Sequence, residues 1–287
     1  MISTLILFLT AICAAAQPAG DLGRPEWTRP FPPFRIVGNV YYVGTYDLAS
    51  YLIVTPHGDI LINTGLAGSA AQIKANIESL GFKISDVKIL TATHAHWDHV
   101  AAMAEMKRLT GARLIATAVE APLLESGGKT DFRFGKDRSA WFEAVHVDEK
   151  RDDGQTIALG DTVLTVHLHP GHTRGAASFT LEVAEAGRTW HVLIANMPSI
   201  NPGVTLVKNP KYPEIAQDYA RTLRDQKSMS PEIWLASHAA QYGLHTKYSP
   251  GDPYNPVRFV DPAGFHTALD RLEKLYLDQL SSERKLP

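Results

Sequence analysis

His94-Ala95-His96-Trp97-Asp98-His99 follows closely on Val87-Lys88-Ile89-Leu90, an apolar run rich in branched residues that reads as a strand. In extended backbone, residues two apart point to the same side, so His94 and His96 can grip one ion together. Asp98 and His99 stand where the chain turns into a helix, predicted over 98–109. That change of direction lets their side chains reach a second position near the first. Imidazole and carboxylate are ligands that a borderline cation such as zinc accepts. The bland alternative is a His-rich solvated loop, and four ligating groups in six residues at a strand end outweigh it.

Two further histidines stand in similar settings. His172 lies in His169-Pro170-Gly171-His172-Thr173-Arg174-Gly175, after a predicted strand over 163–168. Its glycines permit a tight turn that presents one side chain. His238 follows a short predicted strand over 233–235. Either histidine alone would more often be structural. Beside the first motif, three strand ends that each deliver histidine point to one cleft. His167 and His169 alternate along their strand like another pair, and read as packing or supporting groups.

Around these motifs the pattern is mixed. Short strands are predicted at 36–37, 40–43, 51–54, 60–62, 113–116, 177–183 and 190–195. Helices are predicted over 69–80, 213–225 and 262–280; in the first, Ile73, Ile77 and Leu80 share a face and Gly81 ends it. Strand-rich halves interleaved with helices imply two sheets covered by helices rather than one doubly wound sheet. Loops over 198–213 and 248–262, rich in Pro and Gly, are natural walls for a site.

The ends of the chain bound its class. Leu5 to Ile12 is an apolar run followed by Cys13-Ala14-Ala15-Ala16-Gln17, which reads as a cleaved export signal over 1–16. A periplasmic or secreted protein is expected, with no membrane anchoring, since the run is too short to span a bilayer. Residues 17–33 read as an extended Pro-rich arm and 34–287 as one domain. Cys13 is the only cysteine, so a processed chain has no thiolate ligand and no disulfide. Lys and Arg (28) nearly balance Asp and Glu (30), which disfavours nucleic acid as a partner.

Taken together, the strand 60–62, the His-x-His-x-Asp-His stretch, the Pro-Gly-His turn and Ser237-His238 resemble the metallo-β-lactamase superfamily, and the ligand set is similar to subclass B3. The resemblance runs from about Phe34 to the C-terminus. It implies an α+β fold, an αβ/βα four-layer sandwich with the metals at one edge of the sheets. It implies two Zn²⁺ per chain, the first held by His94, His96 and His172, the second by Asp98, His99 and His238. It also implies hydrolysis of the β-lactam amide bond of penicillins, cephalosporins and carbapenems by a metal-bound hydroxide, with a role in antibiotic resistance. Asp98 and His172 are then the side chains most directly tied to catalysis.

Which member of the superfamily this is turns on two absences. Subclasses B1 and B2 use a cysteine ligand. Hydrolases of this fold acting on thioesters, lactones or phosphodiesters usually carry a bridging Asp where this chain has Asn196-Met197. Both absences favour B3 over a lactone, thioester or phosphodiester hydrolase, and over a zinc-binding protein without turnover. Many B3 enzymes have a serine where Met197 aligns and a tyrosine where Val204 stands. Ser199 and Asn201 are the candidates to bind the substrate carboxylate; the alternative is that they cap their own turn. Ser237 is expected to support His238.

Overall fold

Ile60-Leu61-Ile62 and Ile89-Leu90 carry the logic of the fold. In the computed structural model, which describes residues 24–285, Ile60, Ile62 and Ile89 face a core between two sheets. Leu61 and Leu90 face a second core beneath helices. Side chains alternate across a strand, so strands covered on both faces read as unbroken apolar runs. The expected leader over 1–16 and its Cys13 lie outside the described residues.

The first sheet has seven strands in sequence order. They are β1 (Phe34–Val37), β2 (Val40–Tyr42), β3 (Tyr51–Thr55), β4 (Gly58–Ile62), β5 (Val87–Thr91), β6 (Arg113–Thr117) and β7 (Glu149–Arg151). β1 to β4 pair antiparallel and β4 to β7 parallel. Gly58 makes the β3–β4 turn at φ +114, and a Cβ there would stand 2.8 Å from the Asp86 carbonyl oxygen. Parallel pairing needs crossovers. These are supplied by α1 (Ser69–Ser79), then α2 (Trp97–Val100) with α3 (Met103–Thr110), then α4 (Ala121–Glu125). Ile73 and Ile77 of α1 and Met103 and Met106 of α3 cover the outer face of this sheet.

The second sheet runs β12-β11-β10-β9-β8. Its strands are β8 (Thr156–Leu159), β9 (Thr162–Leu168), β10 (Ala177–Glu185), β11 (Arg188–Ala195) and β12 (Ile233–Ala236). Val166, Phe179, Leu181, Val192 and Ile194 project into the core shared with the first sheet. Outside lie α5 (Ile215–Lys227) and α7 (Pro262–Arg284), with Phe265 of α7 on Trp234 at 5.5 Å between rings; α6 (Leu244–Lys247) is a single turn between β12 and α7. Two sheets between helical layers make the expected αβ/βα sandwich. No helix of the described residues is long and apolar enough to cross a membrane.

Two expectations change. The helix predicted over 98–109 is broken at Ala101-Ala102 into α2 and α3. Its His99 carbonyl accepts from Thr64 N at 2.7 Å and Gly65 N at 3.2 Å, and Ala101 N returns a bond to Gly65 O. A carbonyl engaged by a neighbouring loop cannot also serve the next helical turn. The described part of the arm is not simply extended: Pro25–Trp27 forms a 3₁₀ turn, and Trp27 and Phe31 are buried.

Candidate metal centre

β5, β9 and β12 end at the same edge of the sandwich, and each end delivers histidine. The His94 ring lies 4.8 Å from His96 and 4.6 Å from His172, and the His99 ring 4.9 Å from His238. Ligating atoms of His94, His96 and His172 all lie within 4.8 Å of one another, and so do those of His94, Asp98 and His99. His238 stands beside the second group, its Nε2 3.5 Å from Asp98 Oδ2. That oxygen is also 3.4 Å from His99 Nε2. Six side chains read from three separated stretches of sequence thus meet in one place.

The polar floor explains the local backbone. Asn63, after β4, has φ +62, a costly region for a residue with a Cβ. Its Oδ1 accepts from Thr93 N at 3.0 Å, fixing the residue just before His94. Thr93 Oγ1 is hydrogen-bonded to Ser237 Oγ at 2.8 Å. Ser237 therefore does not support His238 directly, as the sequence suggests; its hydroxyl points at Thr93 and ties the β12 end to the β5 end.

Three of these histidines are oriented from behind. His172 Nδ1 donates to the Ser199 carbonyl at 2.7 Å, leaving Nε2 toward the site. His238 Nδ1 is 2.9 Å from Asp47 Oδ2, which orients its Nε2 in the same way. Asp131 Oδ2 is 3.4 Å from His96 Nε2, an ion-pair distance at the long edge of hydrogen bonding, so Nδ1 is the free nitrogen of His96. Asp131 itself is fixed by the Arg133 and Phe134 amides donating to Oδ1. Glu120 accepts from Ala95 N at 2.7 Å, Thr173 Oγ1 at 2.8 Å and Gly175 N at 2.9 Å. One buried carboxylate therefore clamps the His94–His96 segment to the His172 turn.

The electrostatics follow from burial and charge. Burial, then the neighbouring imidazoles, push His94 well below its ordinary value, His172 down to about 4 and His99 down to about 3. Burial acts the same way on His238, but the Asp47 and Asp98 carboxylates outweigh it and raise it to about 9. Burial lifts the Asp98 carboxyl, and His99 and His238 more than reverse this, so it is held below the usual carboxylate range. His94, His99 and His172 thus offer imidazole lone pairs around a carboxylate, donor types that a borderline divalent cation accepts, and a cation that binds displaces the proton that His238 holds in its absence. His94 Nε2 and both His99 nitrogens are buried without any hydrogen-bond partner. Buried polar atoms are rarely left so, and a ligated cation accounts for His94 Nε2 and for one nitrogen of His99.

Other candidates fare differently. Ser199 and Asn201 are half-buried in the loop after β11. The backbone of Ser199 orients His172, and its Oγ is 3.4 Å from the same ring nitrogen. The Asn201 carbonyl accepts from Val204 N, a turn bond. Met197 and Val204 are buried in apolar clusters. His169 meets Ser178 Oγ at 2.6 Å and Gln226 Nε2 at 3.0 Å, a supporting place beneath the Pro-Gly-His turn. Asp47, Glu120 and Asp131 escape sequence reasoning: each lies more than 20 residues from the ligand it serves, with no motif around it. A cavity of about 660 Å³ lies on the second sheet beside His167 and Glu182, and none of the six candidate ligands lines it.

The chain is similar to known proteins in sequence and fold. The sequence profile of the metallo-β-lactamase superfamily matches residues 45–186. A class B3 di-zinc metallo-β-lactamase from an Alaskan soil metagenome is 48% identical, with a TM-score of 0.87 over 90% of this chain and 97% of its own. A metallo-β-lactamase of Elizabethkingia meningoseptica is 46% identical, with a TM-score of 0.87 over 90% and 95%. Among curated sequences, the hydroxyacylglutathione hydrolase of Nitrobacter winogradskyi is 29% identical over 146 residues, 48% of each chain. The chain spans about half the length of that relative.

Proposed function

This chain belongs to the metallo-β-lactamase superfamily, and from that premise we infer that it is a zinc-dependent β-lactamase of the B3 type, opening the amide bond of penicillins, cephalosporins and carbapenems. The observation that carries the reading is the convergence of His94, His96, Asp98, His99, His172 and His238 at one sheet edge.

In the mechanism, His94, His96 and His172 would hold the first Zn²⁺, and Asp98, His99 and His238 the second. Zinc in such a pair supplies Lewis acidity, polarising a carbonyl oxygen and lowering the pKa of water. The chain supplies the rest. Ser199 O and Asp47 fix the tautomers of His172 and His238, so no ligand must reorient during turnover. Asp98, held ionised, orients the attacking water. No serine nucleophile is needed. Ser199 Oγ and Asn201 take the substrate carboxylate from the loop above the metals. The leader-like segment over 1–16 supports export to the periplasm or outside, where β-lactams act, and hence a role in resistance; 34–287 is the catalytic domain.

A second reading, thioester hydrolysis, draws on the curated relative. Against it, β11 ends at Ala195 and is followed by Asn196-Met197, with no carboxylate where such enzymes usually have a bridging one. Nitrocefin and imipenem hydrolysis by zinc-loaded protein, set against thioester and lactone substrates, tests both. Turnover of the β-lactams, abolished by a chelator, is expected. Asp98→Ala and His172→Ala should each lower it by about a thousandfold or more while circular dichroism is unchanged. Thioester turnover alone would move the assignment to the second reading, and two bound zinc ions without any turnover would leave a binding protein.

A further inference from the structure

Trp27 belongs to the segment whose sequence reads as an arm outside the domain, yet it is buried against Leu48, Leu66, Trp97 and Ala101. Its indole Nε1 donates to Asp47 Oδ2 at 3.2 Å, the same oxygen that meets His238 Nδ1 at 2.9 Å. Its ring lies 5.7 Å from the His238 ring. The other Asp47 oxygen accepts from Ala240 N at 3.0 Å. Backbone bonds lock the same pieces: Asp47 N to Glu26 O at 3.1 Å, Tyr46 N to Arg29 O at 2.9 Å, and Ala239 N to Asp47 O at 2.7 Å. By contrast, the hydrogen bonds and ion pair by which Glu120, Asp131 and Ser199 support the first position run to residues outside the arm.

We propose that Trp27 is a positioning residue for the second metal ion alone: the arm fixes Asp47, Asp47 fixes His238, and His238 Nε2 is thereby held toward Asp98. The inference rests on the two-ion reading above. Its physical basis is orientation. A carboxylate behind a ligating imidazole sets both ring angle and tautomer, and removing one commonly weakens metal affinity by about 10- to 100-fold. Asp47 has two rotatable side-chain bonds, and its position is defined by three donors. Losing the indole N–H leaves one lone pair of Oδ2 unsatisfied beside the ring it must hold.

Trp27→Phe keeps the aromatic packing and removes only the donor; Asp47→Asn keeps the shape and removes the charge. The test is stepwise Zn²⁺ or Co²⁺ titration of metal-free full-length protein, followed by calorimetry and by the cobalt ligand-field bands. A second readout, free of metal, is the His238 Nδ1–H resonance in ¹⁵N-labelled protein. Expected are an unchanged first step, a second step weakened by about 10- to 100-fold in Asp47→Asn, and a smaller loss in the same direction in Trp27→Phe. The His238 resonance shifts in both variants. A second step of wild-type affinity in both variants, or equal weakening of the two steps, overturns the proposal. Wild-type protein that takes up fewer than two ions sinks the two-ion reading itself, a result distinct from either.

Discussion

Glu120 shows what a single residue does here. Its carboxylate is buried, and burial raises its pKa even though Ala95 N, Thr173 Oγ1 and Gly175 N all donate to it. It touches no metal-facing histidine by hydrogen bond, yet it holds the backbone between His94 and His96 and the turn that carries His172. Replacing it with glutamine presents an NH₂ group where backbone donors converge, leaving at least one buried donor unmatched. Such a loss costs about 1–3 kcal/mol. Glu120→Gln should therefore lower the stability measured by urea melts by that amount and weaken the first zinc step, with the second step less affected. Unchanged stability in the variant would show that the clamp is dispensable. The six candidate ligands are legible in the sequence because four of them crowd one strand end and two more follow strands. Asp47, Glu120 and Asp131 are not, because a supporting carboxylate answers to distance in space and leaves no local pattern.

At the level of elements, the strands buried on both faces, such as β4, β5 and β11, are plain in the sequence, since a short unbroken apolar run between turns fits little else. No element is predicted between 117 and 162. There α4 has five residues, β7 three and β8 four, too short to show a period, and β7 (Glu149-Lys150-Arg151) is charged throughout. The long helix over 98–109 fails for a different reason: periodicity cannot report that a distant loop, Thr64-Gly65, takes its His99 carbonyl. Asp59 is a local cost within β4. Burial, opposed by a backbone bond from Thr55 and supplemented by Asp86, raises its carboxyl to about 6. A carboxyl whose folded value exceeds its ordinary one stabilises the fold most when protonated. That contribution is complete below about pH 4 and is lost as pH rises through about 6. Asp59→Asn, neutral at every pH, should therefore gain about 1 kcal/mol over the parent at pH 8, after allowing for partial solvation, and nothing at pH 4. Urea melts at both values check this; a gain confined to acid would reverse the sign and refute it.

On the scale of the whole molecule, the two halves of the sandwich meet in a broad apolar core but are joined at one rim by polar groups. β5 arrives from the first sheet, β9 and β12 from the second, and the arm through Asp47. The core is closed by apolar side chains. The rim is not: His94 Nε2 and both nitrogens of His99 lack partners, and desolvated imidazoles are held close together. Zinc bound only by the folded rim stabilises by mass action, about 4 kcal/mol for one ion at a free concentration about a thousand times its Kd. In a domain of this size each kcal/mol moves the melting temperature by about 2–4 °C. Removing zinc with a chelator should then lower the melting temperature by about 8–16 °C, and more if both ions contribute in full. The loss should also be local. Amide exchange ought to rise along 93–101, 171–175 and 237–242, while Ile53, Leu181 and Val192, deep between the sheets, keep their protection. Differential scanning calorimetry and hydrogen exchange on zinc-loaded and zinc-free protein measure the two effects. If chelation removes the zinc but leaves both the melting temperature and the rim amides unchanged, the rim is already satisfied without metal, and water rather than a cation meets the orphaned imidazoles.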